Sequence, residues 1–397
     1  MSKILYLPHR LPFPPNKGDK IRAFNVLKHL STKHQLFVGT FVDDPADYEH
    51  VEKLTAYCVD SCVVKQNKLT RRVASAKGLL NAKPLGLVYY ESPRLQAWVD
   101  QVVEQQKIET ILTFSSTMSQ FIDHDRFAKL HRVADFCDID SDKWEQYSKK
   151  ASWPMSAVFS REARTLLEYE RAIASRFNNT LFVNESEAEL FKKLAPESAQ
   201  RIDYFDQCVD AEYFSPTASF AALTHNQDEP NFCFTGAMDY RANVDAVLWF
   251  VQEVWPAIRK QLFNAKFYIV GTNPAAAVLD LKNVPGVVVT GRVADVRPYI
   301  AASKATVAPL RIARGTQTKV LEAMAMAKAI VCSTAAAEGL TDSAKACLLI
   351  RDDASGFAQS LIALAAQNES NERARDIVLR DYSWMSQLRK LDIKLAR

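Results

Sequence analysis

Short, almost wholly apolar runs alternate with longer segments of helical period along the entire chain. In the first half, runs rich in Val, Ile, Leu and Phe predict strands at 3–8, 35–42, 61–64, 110–115, 132–137, 180–184 and 201–205. Helical-period segments lie between them, among them 19–32, 93–106 and the long 156–177. The second half repeats the rhythm, with strands at 231–236, 265–271, 287–291, 305–310, 329–333 and 347–350. Continuous apolar strands separated by helices belong to parallel sheets covered on both faces. The expected class is α/β, with two doubly wound, Rossmann-like domains. Ligands of such sheets bind beyond the carboxyl ends of the strands, so two sheets facing one another enclose a cleft.

A polar stretch rich in Ala, Ser and Asn opens at Ser215-Pro216 and closes at Pro230, and it reads as a linker. The expected division is 1–215 for the first domain and 216–380 for the second. Residues 381–397 then form a helix packing back on the first domain. A length of 397 residues agrees, because single cores stop growing near ~250–300 residues.

Composition narrows the class further. With 48% hydrophobic and 24% charged residues the chain is an ordinary globular one, and disordered or fibrous classes are excluded. A net charge of +4 is too small to imply nucleic acid. Residues 1–100 hold 15 Lys and Arg against 9 Asp and Glu, so any anionic surface is expected to meet the first domain. The seven cysteines include no C-x-x-C pair, and several sit in apolar runs, as expected in a reducing compartment. The first residues do not read as a signal peptide, and no run reaches the ~20 apolar residues that span a bilayer. The expectation is a cytoplasmic protein, or one attached to a membrane from the cytosol.

The strongest chemical signal is Ala305-Thr-Val-Ala-Pro-Leu-Arg-Ile-Ala-Arg-Gly-Thr-Gln-Thr-Lys-Val-Leu-Glu-Ala-Met-Ala. A buried strand is expected to end at Pro309, with a loop carrying Arg311, Arg314 and Gly315 and a helix starting near Thr316. Gly315 permits a tight turn and close approach of a ligand to the backbone. The N–H groups of Thr316 and Gln317 and the helix dipole suit phosphate oxygens. Lys319 adds a point charge, and Glu322 offers a carboxylate to vicinal hydroxyls. A diphosphate and a ribose fit this pattern; so, on the helix alone, does an i,i+3 surface ion pair between Lys319 and Glu322.

The wider sequence favours the first reading. Phe234-Thr-Gly-Ala-Met-Asp-Tyr-Arg-Ala-Asn-Val-Asp-Ala, Phe267-Tyr-Ile-Val-Gly, Val289-Thr-Gly-Arg-Val and Gly315…Lys319-x-x-Glu322-Ala-Met-Ala follow in order. Together they resemble the GT-B retaining glycosyltransferases related to sucrose and glycogen synthases (group 1, family 4). The resemblance covers nearly the whole chain. It implies that Lys319 meets the donor diphosphate, that Glu322 meets the ribose, and that Arg292 and Val293 lie beside the base. Three positions depart from the family pattern. Arg314 stands where the first acid of an E-x7-E pair is usual. Ala237 replaces a basic residue, with Arg241 a substitute nearby. Gln207-Cys-Val-Asp210 replaces Asn-Gly-Val-Asp. These changes leave the identity of the sugar open.

In the first half, Arg10-Leu-Pro-Phe-Pro-Pro-Asn-Lys-Gly-Asp-Lys-Ile-Arg22 follows the first strand, and Gly18 is expected to meet the donor phosphate. The plainer alternative is a Pro-rich loop with Asp19 capping a helix. In Asp135-Phe-Cys-Asp-Ile-Asp-Ser-Asp-Lys-Trp-Glu-Gln-Tyr147, Asp138 and Asp140 are candidates to orient an acceptor hydroxyl or steady positive charge at the sugar. These segments resemble the sugar-transferase branch associated with exosortase (PEP-CTERM) exopolysaccharide loci. Residues 65–83 carry six basic residues and no acid, with Leu69, Val73, Ala76 and Leu80 at helical spacing. Such a pattern suits a helix on an anionic membrane surface, and suits also a core-facing helix with a solvated back, which is the commoner case.

No G-x-G-x-x-G, P-loop, G-x-S-x-G or H-E-x-x-H signature is present, which sets aside dehydrogenases, NTPases, common esterases and zinc proteases. The expectation is a hexosyltransferase using a UDP- or GDP-sugar and a glycan or lipid-linked acceptor. Lys319, Arg241 and Arg311 are expected to stabilise the leaving diphosphate without a metal or other cofactor. The rival readings are a sugar-nucleotide epimerase on the same architecture and a degenerate nucleotide-sugar-binding partner.

Overall fold

A computed structural model of the chain describes residues 2–15, 18–67, 75, 78, 83–206, 208–223, 229–313, 315–367 and 370–396, without the side chain of Lys150. It divides into two compact units, Met1–Asp206 with Leu388–Arg397, and Gln207–Gln387. Most of the segment 65–83, together with Gln207 and Arg314, lies outside the described residues.

The first unit holds a seven-stranded sheet in the order β3-β2-β1-β4-β5-β6-β7. Its strands are β1 Lys3–Pro8, β2 Gln35–Val42, β3 Asp60–Lys65, β4 Thr110–Phe114, β5 His131–Cys137, β6 Asn179–Phe182 and β7 Ile202–Tyr204. The second unit holds a six-stranded sheet in the order β10-β9-β8-β11-β12-β13. Here the strands are β8 Asn231–Thr235, β9 Lys266–Val270, β10 Val287–Gly291, β11 Ala305–Ala308, β12 Ala329–Cys332 and β13 Leu349–Ile350. All pairings among these strands are parallel. Central strands such as β4 and β8 are buried at every residue, because helices cover both faces. Their unbroken apolar runs are the consequence.

Four helices of the first unit matter below: α1 Gly18–Ser31, α2 Pro93–Gln106, α3 Asp140–Lys150 and α4 Met155–Arg176. Helix α1 is fixed to the sheet by a fully buried ion pair. Arg22 donates from Nε and Nη2 to the Asp135 carboxylate at 2.9 and 3.2 Å, and its guanidinium lies 3.4 Å from the Phe205 ring centroid. Burial pushes the Asp135 pKa up, against the pull of Arg22.

The first unit ends at Asp206, earlier than the division expected at 215. The reason is packing. Val209, Ala211 and Phe214 belong to the core of the second unit, and Arg375 Nη1 donates to the carbonyls of Ala211 and Phe214 at 3.3 Å each. The chain has therefore joined the second core before the polar stretch that begins at Ser215.

Two helices of the second unit position the chemistry, α5 Arg241–Trp249 and α6 Thr318–Ala325. The latter begins two residues beyond the start expected near Thr316. Strand β11 ends at Ala308, before Pro309, whose missing N–H cannot continue a ladder.

Candidate donor site at the carboxyl ends of β8 and β11

In the second sheet β8 lies between β9 and β11, and the connections leave it toward opposite edges. Such a reversal opens a crevice at the carboxyl ends of the two central strands. Residue Gly236 follows β8 there and donates its N–H to Val270 O at 3.0 Å. A Cβ on Gly236 would stand 2.7 Å from Asn243 Nδ2 and 3.1 Å from Lys319 Nζ. Only glycine lets the chain pass this close. A Cβ on Gly271 would overlap the Gly236 carbonyl oxygen, at 1.6 Å, so the turn is held from both sides.

Asn243, in the first turn of α5, ties the turn to the lysine. Its Nδ2 donates to Ala237 O at 2.9 Å, and its Oδ1 accepts from Lys319 Nζ at 2.6 Å. The Lys319 ammonium also lies 4.1 Å from the centroid of the Phe234 ring, within cation–π range. Lys319 projects from the first turn of α6, so a residue on each of two helices and one on β8 converge on one point.

The loop before α6 is shaped by a contact the sequence does not advertise. Gly315 has φ +66°, the left-handed region, and a Cβ on Gly339 would come within 2.5 Å of Gly315 C and Thr316 N. Thr316 Oγ1 donates to Gly339 O at 2.9 Å. Gln317 Nε2 donates to Gly315 O at 3.2 Å. Thr316 and Gln317 therefore lie in the loop that delivers α6, ahead of its first turn, and no side-chain hydrogen bond caps the helix.

Lys319 and Glu322 form no ion pair with each other; the ammonium turns to Asn243. Burial lowers the Lys319 pKa to about 7, against a smaller opposing pull from Glu322. Burial likewise raises the Glu322 pKa to about 7, against the pull of Lys319. Each side chain keeps part of its surface exposed. The environment thus disfavours both charges until a ligand supplies partners.

The other expected donor residues are placed differently. Arg311 is exposed and makes a two-point ion pair with Asp245, from Nε at 2.9 Å and Nη2 at 2.5 Å. Its guanidinium is therefore committed. Arg241 opens α5 and is exposed, as is Arg292. Val293 packs against a small cluster of Cys233, Tyr268 and Val270. An open cavity of about 680 Å³ is lined by Pro309, Leu310 and Arg311 together with Ser333, Thr334, Lys345, Asp352 and Phe357. Its lining contains none of Lys319, Asn243 or Glu322.

In the first unit, Gly18 is the first residue of α1, and a Cβ there would meet nothing within 4 Å. Asp138 and Asp140 share one cation. Lys143 Nζ lies 2.7 Å from Asp138 Oδ2 and 3.2 Å from Asp140 Oδ1. Burial works against the Lys143 charge, but Asp140 and Asp138 outweigh it and raise its pKa. Among the described residues, no group of three His, Cys, Asp or Glu side chains is placed to hold a metal ion.

The sequence analysis assigned no role to Asn243, Gly271 or Gly339. Asn243 stands inside the quoted Gly-Ala-Met-Asp-Tyr-Arg-Ala-Asn segment, seven residues after Gly236, and that spacing was its only signal.

Residues 229–367 match the family model of glycosyl transferases group 1. No curated protein matches the chain significantly. Among solved structures, sucrose-phosphate synthase from Thermosynechococcus elongatus is 13% identical, with 99% of this chain and 98% of that one covered and a TM-score of 0.65. HepE of Anabaena, in complex with UDP-glucose, is 14% identical over 100% of this chain and 99% of that one, with a TM-score of 0.62. A glycosyltransferase from Rickettsia africae is 13% identical over 99% and 97%, with a TM-score of 0.62. The chain therefore has the GT-B glycosyltransferase fold, and within it residues 229–367 match the group 1 glycosyl transferases.

Proposed function

We propose that the protein is a glycosyltransferase that takes a hexose from a UDP- or GDP-sugar and passes it to a glycan or lipid-linked acceptor in exopolysaccharide synthesis. The observation that carries this reading is Lys319, held by Asn243 at the switch point of the second sheet with Glu322 one turn further along α6. Burial has lowered the lysine's pKa, so a diphosphate entering beside it restores the ammonium and gains a charge-assisted hydrogen bond. In this reading Glu322 accepts hydrogen bonds from ribose hydroxyls. Binding of UDP-glucose by the structurally similar HepE supports a nucleotide sugar as the ligand. Retention of anomeric configuration follows the family resemblance.

In this reading Arg241 meets the leaving diphosphate. Arg311 joins it only by exchanging Asp245 for the phosphate. Arg292 and Val293 flank the base, and the N–H groups of the 315–317 loop face the phosphates. Gly18 stays a candidate for the donor phosphate, and Asp138 and Asp140, which share the charge of Lys143, stay candidates for orienting the acceptor. No metal or other cofactor is invoked. No helix among the described residues is long and apolar enough to cross a membrane. Attachment to an anionic membrane surface is assigned to residues 65–83.

One observation favours a second reading. Arg311, Asp138 and Asp140 are all already paired, which also suits a nucleotide-sugar-binding partner without turnover. A thermal-shift panel of UDP- and GDP-hexoses, followed by nucleotide release, separates the two. Ligand at 100 times its dissociation constant adds ~2.7 kcal/mol of stability. A stabilising nucleotide sugar that is also turned over supports the transferase; stabilisation without turnover supports the binder.

A further inference from the structure

Helices α3 and α4 of the first unit form a hairpin joined by residues 151–154. Its base is packed. Ser141 is buried and its Oγ donates to Glu170 Oε2 at 2.5 Å, and from Glu162 onward α4 turns a buried face to the unit. Toward the tip that support ends. Among the described residues of α3 only Ser141 is buried, and no residue of α4 before Glu162 is. The outer part is held by its own rings: the Trp144 ring lies 5.3 Å from that of Phe159 and 5.8 Å from that of Tyr147, centroid to centroid.

Beyond these rings the tip is apolar and uncovered. Trp153 is 83% exposed, more than any other large hydrophobic side chain among the described residues. Tyr147 and Met155, on the two flanking helices, are 54% and 47% exposed. One exposed apolar residue needs no explanation, but three at one end of a hairpin form a patch. The charge there has one sign. Residues 146–160 include Lys149 and Lys150 and no acid. Lys149 keeps 69% of its side chain exposed, with Glu145 Oε1 3.3 Å away, one turn back toward the base.

Size and charge select the occupant. A stable protein interface takes ~20–30 residues a side, more than a four-residue turn and two helix ends can offer. A bilayer makes no such demand. Trp and Tyr settle where head groups meet acyl chains, and lysines beside them meet anionic head groups.

We propose that the tip of the α3–α4 hairpin inserts Trp153 and Met155 into the head-group boundary of an anionic bilayer, with Tyr147 and Lys149 at its surface. This adds an apolar contact to the electrostatic one assigned to residues 65–83. Stable attachment takes two such signals, since one alone gives marginal, reversible binding. Insertion is shallow, so high salt still releases the protein. The base of the hairpin carries Asp138, Asp140 and Lys143, about one helix length from the tip, ~16 Å for the 11 residues of α3. An acceptor borne on lipid would meet them at that height. This use of the contact rests on the transferase reading; the insertion itself does not.

The test uses the full-length protein and vesicles of phosphatidylcholine and phosphatidylglycerol, with one set carrying phosphatidylcholine brominated on its acyl chains. Bromine quenches tryptophan on contact, so wild-type fluorescence should fall in the brominated set relative to the plain one. Trp153→Ser combined with Met155→Ser should lose that quenching and partition at least about 10-fold more weakly. Its thermal unfolding should be unchanged, because neither side chain is buried. Residues 65–83 are intact in this variant, so the loss falls to the hairpin. Trp153→Tyr, which keeps an interfacial ring, should retain partitioning. Equal partitioning of wild type and the double variant, or vesicle binding by wild type without quenching, overturns the proposal. A wild-type dimer that the double variant breaks in sedimentation overturns it too, because a second copy is then the occupant. Stabilisation by a nucleotide sugar is read separately by thermal shift, so failure of the transferase reading and failure of this inference are told apart.

Discussion

Lys319 Nζ donates to Asn243 Oδ1 at 2.6 Å, and this Nζ and the Asn243 Nδ2 would lie 3.1 and 2.7 Å from a Cβ on Gly236, which has no room for a side chain. One lysine, one amide and one glycine, from three separate elements, thus define the point where the donor's phosphates are assigned. The glycine makes the contact possible, the asparagine aims the lysine, and burial leaves the lysine short of a counter-charge.

That shortage has a consequence for stability. In the fold Glu322 titrates at about 7 instead of 4.5, so the folded chain keeps a proton that the unfolded chain loses, and stability falls as pH rises between these values. Lys319 titrates at about 7 instead of 10.5, so the unfolded chain holds the extra proton above neutrality, and stability rises there. The ligand-free site is least stable near pH 7. Glu322→Gln should remove the acid-side slope and stabilise the ligand-free protein at pH 7 to 8, on the order of 1–3 kcal/mol at 1.36 kcal/mol per pKa unit. Thermal scans between pH 5 and 8 check it; equal slopes in both proteins would show that Glu322 is not held in this environment.

The glycines offer a second check. Gly339→Ala puts a methyl group within 2.5 Å of the Gly315–Thr316 peptide, and Gly236→Ala puts one 2.7 Å from Asn243 Nδ2. Overpacking of this kind costs ~1–3 kcal/mol. Both variants should lose UDP affinity at least about 10-fold, whereas Gly18→Ala, where the Cβ meets open space, should fold normally. Unchanged UDP affinity in both would place the ligand elsewhere.

Much of this architecture was legible in the sequence, because buried parallel strands leave unbroken apolar runs. Strands 3–8, 35–42 and 287–291 and helix 93–106 fall where the pattern puts them. The functional loop was harder to read. Helix α6 starts at Thr318 instead of near Thr316, and the loop before it lies against Gly339, which lies beyond β12 and meets Gly315 only in the folded chain. The lysine's partner was likewise hidden. An i,i+3 acid is visible in sequence, but an asparagine on another helix is brought close only by the order of the strands. Arg311 looked free for phosphate for the same reason, since Asp245 is 66 residues away.

Transfer is expected to survive chelation. The donor chemistry is assigned to Lys319, Arg241 and backbone N–H groups, so EDTA should leave turnover within about two-fold of the untreated rate. Loss of activity restored by manganese would require reassigning Asp138 and Asp140 as ligands.

Membrane attachment gives a fourth prediction. Residues 65–83 carry six basic and no acidic side chains, and each basic residue near an anionic leaflet contributes ~1 kcal/mol. The protein should sediment with vesicles containing anionic lipid, and high salt should release it. Changing Lys68, Arg71, Arg72 and Lys77 together to Gln should weaken binding. Equal sedimentation with neutral and anionic vesicles would return the segment to a core-facing helix with a solvated back.

The central claim is that Lys319 and Glu322 hold the donor nucleotide, and calorimetric titration of UDP and GDP into wild type, Lys319→Ala and Glu322→Ala tests it most directly. Hydrogen bonds to charged groups are worth ~1.5–3 kcal/mol each, about 10- to 150-fold in affinity. Wild type should bind one of the two nucleotides, and each variant should lose affinity by a factor in that range while its unfolding transition remains cooperative. Retention of full affinity by both folded variants would contradict the assignment of the donor site.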